Sequence, residues 1–342
     1  MTSTLPTPLG YADLTPGHVL DALDAVGLRG DGRILQLNSY ENRVFQVFLE
    51  DGRAVVAKFY RPGRWSDAQI TEEHAFALEA AAAEVSVVPP LVLQAAPDAV
   101  GLRLAGTPPT LACIDGHRFA VALRCAGREP ELDDPATLSQ IGRFIGRLHS
   151  VGRRQRFEHR LNIDPRRDGQ RAFQLLIDGG FVAADQLPAW RSVATAALDL
   201  VVAAFDAAAP LATLRLHGDC HPGNVLWRES GPKVVDLDDA VQGPAVQDLW
   251  MLVSGDGPTM QRQLATLLAG YTQFMDFDGR ELSLIEPLRT LRMLRHSAWL
   301  AERWSDPTFP LNFPFFGSAA YWSQQTAQLR EQLELMQSPA GD

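Results

Sequence analysis

The chain has 342 residues, more than one hydrophobic core usually supports (about 250–300), so two lobes are expected. Its 46% hydrophobic and 21% charged composition is that of an ordinary soluble globular protein. The net charge of −10 argues against general affinity for nucleic acid or an anionic membrane, local basic patches apart.

The three cysteines, Cys113, Cys125 and Cys220, are too few and too scattered for a disulfide framework or a zinc site. Cys220 reads as a small filler residue, since a redox role needs an electropositive surrounding. The opening MTSTLPTPLGYADLTP has no basic segment followed by an apolar run, so no signal peptide is expected. No window approaches about 18–20 uninterrupted apolar residues, so no membrane span is expected and the compartment reads as cytoplasm.

In chain order, residues 1–30 read as a short arm and one helix. Thr15 is the N-cap and Pro16 the first helical residue; Val19, Leu20, Leu23 and Val26 form the apolar stripe, and Gly27 and Gly30 end it. Residues 34–60 read as a β-meander. Its runs Val44–Leu49 and Ala54–Tyr60 flank Glu50-Asp51-Gly52, a hairpin signal. Residues 66–84 turn helical, with Ile70, His74, Ala77 and Leu78 on one face, until Pro89-Pro90 breaks the pattern. Leu91–Leu93 and Phe119–Cys125 read as further strands, and Ala126-Gly127 as a flexible joint.

After residue 130 the chain is mainly helical. Leu138, Ile141, Ile145 and Leu148 mark one buried face, and residues 192–206, 245–254, 259–275, 283–304 and 321–336 show similar patterns. Two short β-segments, around Asn224 and Asp236, interrupt this region.

Those two segments carry the chemistry. Leu216-His217-Gly218-Asp219-Cys220-His221-Pro222-Gly223-Asn224 precedes Val234-Val235-Asp236-Leu237-Asp238-Asp239. Phosphoryl transfer needs a carboxylate to orient a hydroxyl and accept its proton, and oxygen ligands for the magnesium that neutralises the phosphates. Asp219 suits the first task, and Asn224 and Asp236 the second. The interval from Asp219 to Asn224 is that of the kinase loop H-R-D-x-x-x-x-N.

Lys58 ends the apolar strand Val55–Phe59, where an ammonium needs a partner. In kinases that partner is the α/β-phosphate pair plus a helix glutamate; otherwise the side chain snorkels to solvent. Glu72, Glu73 and Glu79 are the candidate glutamates. Glu73 fits best, having apolar flanks about one turn into its helix, and Glu72 reads as solvated.

No G-x-G-x-x-G is present. The polar segment 37–43 stands where a phosphate-covering loop belongs, with Ser39 nominated for nucleotide contact. His217 and His221, with the nearby aspartates, could be read as a transition-metal site, but a structural hydrogen-bonding role for His217 is more economical. Asp238 shares a side with Asp236 along a strand, so it either approaches the metal or fixes the loop. The arginines between residues 153 and 171 form either a surface run or an attractor for acidic groups. The aromatic segment 309–316 either walls a substrate cleft or packs on itself.

HGDCHPGN followed by VVDLDDA resembles the aminoglycoside phosphotransferase and choline kinase superfamily, which shares the eukaryotic-like protein kinase fold. The strings SYENRVFQ, AKFYRPGRW, EEHAFAL, LRLHGDCHPGNVLWR, DLDDAVQGPAVQDLWML, LIEPLR and NFP together resemble the bacterial stress response kinase A family of serine/threonine protein kinases. The likeness runs from about residue 10 to about residue 335.

The resemblance implies an α+β, bilobal protein-kinase-like fold. Residues 1–126 would be a small N-lobe of β-sheet with one helix, preceded by the helical arm, and residues 127–342 a larger, mainly helical C-lobe. It implies Asp219 as proton acceptor, Mg2+ on Asn224 and Asp236, Ser39 in the ATP site, and a Lys58–Glu73 ion pair that positions phosphates. The expected partners are ATP and protein substrates, and the expected state is a monomer.

Gly218 replaces the arginine that ordinary protein kinases place before the aspartate, and Asp238 replaces the glycine of D-F-G. No A-P-E segment or activation loop is evident, so control by activation-loop phosphorylation is doubtful. The leading reading is an ATP-dependent serine/threonine protein kinase. The alternatives are a kinase of small molecules (amino-alcohol, sugar or antibiotic) and a non-catalytic nucleotide-binding regulator.

Overall fold

The computed structural model describes residues 11–254 and 257–337, so the beginning of the expected arm lies outside the described residues. The described residues pack as two compact units. One takes in the chain up to Leu161 with Arg215–Val241 and Met251–Met275; the other takes in Asn162–Leu214, Gln242–Trp250 and the chain from Asp276 onward.

The first unit is built on a six-stranded antiparallel sheet in the order β1-β2-β3-β6-β5-β4. Its strands are β1 (Gly30–Leu37), β2 (Arg43–Leu49), β3 (Ala54–Phe59), β4 (Arg103–Ala105), β5 (Leu111–Ile114) and β6 (His117–Leu123). Helix α1 (Pro16–Ala25) starts at the expected cap, where the Thr15 hydroxyl accepts the His18 amide at 3.3 Å. Gly52, at φ +83°, makes the β2–β3 turn, and the register runs from Arg43↔Phe59 to Phe48↔Ala54.

Alternation along β3 decides where its side chains go. Val55, Ala57 and Phe59 enter a core with Val19 and Leu23 of α1, Phe45 and Phe119. Each fully buried valine, leucine or phenylalanine among them stabilises the fold by about 1.5–3 kcal/mol. Lys58 therefore points to the opposite face. That is the side on which Ile70 of helix α2 (Asp67–Ala82) packs with Tyr60 and Ala120, the residue in register with Lys58.

The strand expected at Leu91–Leu93 does not form. Pro89 and Pro90 have no N–H to give a ladder, and the segment makes isolated contacts instead: a bridge between Pro90 and Ala122, and single bonds from Leu91 to Val121 (2.7 Å) and Leu93 to Pro109 (2.8 Å). Strands β4 and β5, which the sequence pattern did not reveal, extend the sheet instead.

Helix α3 (Pro135–Gly152) packs on the helix Gly257–Tyr271 at very short range. A Cβ at Gly142 would stand 2.0 Å from the Leu267 carbonyl oxygen, so only glycine fits there.

The second unit is helical: Pro165–Asp178, Leu187–Ala208, Ile285–Glu302, Thr308–Asn312 and Ala319–Gln337. Its core holds Trp190, Leu294, Phe309, Phe316 and Trp322. The aromatic segment thus sends Phe309 and Phe316 into its own unit, while Phe315 stays half-exposed.

The first of these helices lies in the basic stretch and was not anticipated, although Asp164 caps it by accepting the amides of Arg166 and Arg167 at 3.0 Å. Several of the arginines are matched by acids, Arg166 by Asp206 (2.5 Å) and Arg171 by Glu302 (2.8 Å), and Arg160 is buried. Residues 245–254, expected as a helix, form two short 3-10 turns, Ala245–Asp248 and Trp250–Leu252. The Glu281 carboxylate takes the Val246 amide at 2.8 Å. The helix Leu187–Ala208 is long and apolar enough to cross a membrane by length and composition alone, yet Trp190, Ala194, Ala197 and Val201 are buried within the unit.

Candidate active site

The nominated acidic and amide side chains lie on two loops that hydrogen bonds fasten together. His217 does this fastening, as the sequence reading favoured. Its Nδ1 accepts the Asp219 amide at 3.3 Å, so the ring proton sits on Nε2, which donates to the Val235 carbonyl at 2.9 Å. Both ring nitrogens are then engaged, which leaves neither for a transition metal. The Asn224 side-chain amide donates to the Asp219 carbonyl at 2.9 Å. The Val235 amide donates to the Asn224 carbonyl at 3.0 Å, bringing Asn224 against the residue that precedes Asp236.

Gly218 is fixed by the same closeness. Its φ is +86°, and a Cβ there would stand 2.1 Å from the Asp239 carbonyl oxygen. An arginine cannot occupy this place. The Asp219 carboxylate itself lies 3.6 Å from His221 Nε2.

Lys58 reaches the site from β3. Its ammonium bonds to the half-exposed Asp236 carboxylate at 2.6 Å. Burial works against the charge on Lys58, but Asp236 and then Asp238 outweigh it and hold its pKa well above the ordinary lysine value. Desolvation would raise the Asp236 carboxyl; the adjoining ammonium overcomes this and brings it down to about 2.

The ion pair expected between Lys58 and Glu73 is therefore not the one formed. Glu73 is buried on α2 with its carboxylate 3.7 Å from His74, and burial pushes it up to about 7 against the pull of Lys58 and Arg160. His74 is neutral, held down at about 3 by burial, Lys58 and Arg160; it bonds Tyr60 and Thr110, each at 2.8 Å. Ser39 lies half-buried in the β1–β2 loop, and its hydroxyl makes no hydrogen bond among the described residues.

Sequence reasoning raised Asp238 as a residue that could fix the loop but missed the partners it does so with. The buried Asp238 carboxylate accepts from Asn42 Nδ2 at 3.0 Å and forms a close ion pair with Arg64. Arg64 also bonds Asp239 at 2.6 Å. Arg160 donates to the backbone carbonyls of Asp238 (2.5 Å) and Ala240 (2.8 Å) and lies over the Trp65 ring at 4.1 Å. Glu72, expected to be solvated, instead accepts the backbone amides of residues 158–160, including Arg160 at 2.7 Å, because three adjacent N–H groups there converge on one carboxylate. The signal for Arg64 was the charged R-P-G-R-W segment between a strand and a helix.

A divalent cation with oxygen ligands suits this donor set. Asp236 offers a carboxylate and Asn224 an amide oxygen, since its NH2 group is spent on Asp219. Asp238 Oδ1 is buried without a hydrogen-bond partner among the described residues, an oxygen that an ion or its water would satisfy.

Comparison with known proteins decides the family. Residues 33–285 match the phosphotransferase enzyme family. Stress response kinase A of Escherichia coli (strain K12) is 43% identical over 338 residues, covering 96% of this chain and 95% of that protein. The chain belongs to the stress response kinase A family.

Another relative within this family is the serine/threonine protein kinase RdoA of Salmonella typhimurium (strain LT2), 41% identical over 329 residues, 96% of this chain and 95% of that one. Among solved structures, the amicoumacin kinase hAmiN, in complex with AMP-PNP, Ca2+ and Ami, superposes with TM-score 0.68 at 17% identity over 94% of this chain and 93% of that one. A microcompartment-associated aminopropanol kinase gives 0.66 at 17% identity over 94% and 96%. These likenesses establish the protein-kinase-like fold. As a member of the stress response kinase A family, the chain is an ATP-dependent phosphotransferase.

Proposed function

We propose that the chain is a serine/threonine protein kinase that moves the γ-phosphoryl group of ATP onto hydroxyls of proteins. The observation that carries the chemistry is the joining of the Asp219–Asn224 loop to the Asp236 turn through His217, with Lys58 bonded to Asp236. The protein substrate is supported by the relatives at 41–43% identity, one of which is named a serine/threonine protein kinase.

In this reading Asp219 orients the substrate hydroxyl and takes its proton as the oxygen bonds to the γ-phosphorus and ADP leaves. Asn224 and Asp236 would hold Mg2+, which supplies charge neutralisation at the phosphates. Lys58 would leave Asp236 for the phosphates, where the Glu73 carboxylate becomes its partner, and Ser39 would touch the nucleotide. Residues 1–126 form the nucleotide-covering lobe and 127–342 the catalytic lobe. A cytoplasmic location and a monomeric state go with the reading.

One observation favours a small-molecule kinase instead. Asp239 is followed at once by the strand Val241–Gly243 and the turn Ala245–Asp248, with no long segment of the kind that docks a peptide in protein kinases. Incubation with γ-labelled ATP separates the two. Label on the chain itself or on added protein is expected, and label found only on a metabolite would replace this reading with the second.

A further inference from the structure

The turn that carries Asp236 is held in a costly conformation. Asp236 has φ +62° and ψ 66°, in the left-handed region that side-chain-bearing residues rarely enter, so the surrounding structure must over-determine it. Its own backbone supplies one bond, from the Ala240 amide to the Leu237 carbonyl at 2.8 Å. The remaining ties come from elsewhere. Arg64, in the loop between β3 and α2, grips the carboxylates of Asp238 and Asp239 at once. Asn42 holds Asp238 from the β1–β2 loop, the loop that carries Ser39. Arg160 holds the backbone at 238 and 240, and is itself fixed by Glu72 of α2.

We propose that Arg64 is a positioning residue: by bridging Asp238 and Asp239 it holds the turn in the one conformation that presents Asp236 to a divalent cation. This rests on the reading of Asp236 as a metal ligand. The bridge is permanent, built from a guanidinium fork that spans two carboxylates. Protein kinases commonly order their site by phosphorylating an activation loop and pairing the phosphate with arginine. Here the acids are already part of the chain, so the turn needs no such modification. The arrangement also puts the loop bearing Ser39 and the turn bearing Asp236 in register through one carboxylate, that of Asp238.

The experiment titrates Mg2+ into the full chain in the presence of AMP-PNP and reads nucleotide binding by calorimetry, with thermal melting alongside. Arg64→Ala should raise the Mg2+ concentration for half-saturation about tenfold or more, the scale on which outer partners of metal ligands act. Millimolar guanidinium chloride should restore part of the loss. Arg64→Lys keeps one charge but cannot span both acids; it should fall between, and it decides the matter if the alanine variant does not fold. Asp236→Asn is the control for the underlying reading and should lose the Mg2+ dependence.

The inference is overturned if the Arg64 variants keep the wild-type Mg2+ dependence while Asp236→Asn loses it. It is overturned equally if they lower the melting temperature with that dependence intact, for Arg64 would then only hold the fold. If Asp236→Asn itself retains wild-type Mg2+ dependence, the metal-site reading fails and the inference falls with it.

Discussion

The turn at residues 236–240 and the aromatic core of the helical unit are both densely packed, but by opposite means. Around the turn, buried or half-buried charges meet named partners: Lys58 on Asp236, Arg64 and Asn42 on Asp238, Arg160 on backbone carbonyls. In the helical unit, Trp190 stacks on Phe173 with ring centres 5.6 Å apart and meets Trp322 edge-on at 5.7 Å. The polar bonds in that core join neutral groups, such as Trp190 Nε1 to Gln325 at 2.6 Å and Ser297 to Tyr321 at 2.6 Å. Burying charge costs stability unless each group is matched, so a fold gains little by doing so except where geometry must be exact. On the proposed function the turn is therefore where chemistry is specified, and the aromatic cluster is where stability is stored.

That contrast is breakable by substitution. The largest effect should come from Asp219→Asn, which on the proposed function takes away the proton acceptor and spares the residues proposed to hold the metal. Turnover should fall about 10²- to 10⁴-fold while nucleotide affinity and melting temperature hardly move, and steady-state kinetics that retain wild-type turnover would refute the assignment. Trp190→Ala should behave in the reverse way. It should cost about 3–5 kcal/mol in denaturant unfolding and leave the KM for ATP of the folded fraction near wild type.

Glu73 sharpens the comparison, because it is a buried acid without an ion pair to Lys58. Its folded pKa of about 7 lies above the ordinary value of 4.5. Its contribution to stability is therefore complete below the unfolded value and is lost as pH rises toward 7. The loss reaches about 3 kcal/mol at most. Glu73→Gln should flatten this fall in unfolding curves taken between pH 5 and 8; an unchanged slope would mean that Glu73 is ionised throughout. The smallest effect belongs to the surface. The Arg166–Asp206 pair, with both side chains more than 60% exposed, should be worth about 0–1 kcal/mol in a double-mutant cycle.

Much of this is legible in the chain because the responsible signals are local. Thr15-Pro16 announces a helix start and Asp51-Gly52 a hairpin. The five-residue interval from Asp219 to Asn224 announces a loop that the structure closes with an Asn224–Asp219 bond. What is not legible depends on distant partners. Arg64 and Asp238 are separated by 174 positions and Asn42 and Asp238 by 196, so no window of sequence shows that a strand-end loop clamps the turn. Apolar flanks set Glu73 apart from Glu72, and Glu73 is the buried one. Yet Glu72 does not stand free in solvent as expected, because its three amide partners at 158–160 lie far along the chain. The helix at Pro165 escapes notice for a different reason. Its cap, Asp164-Pro165, is plain, but the crowd of arginines draws attention to charge rather than to periodicity.

The bare hydrogen of Gly218 has an evolutionary corollary. With the Asp239 carbonyl only a methyl's width away, the backbone would not tolerate a mutation that wrote at 218 the arginine ordinary protein kinases carry there. Descendants of this sequence would first have to reroute the chain at 239, and with it the arginine-bound pair of acids. Position 218 should accordingly be among the slowest in the chain to vary.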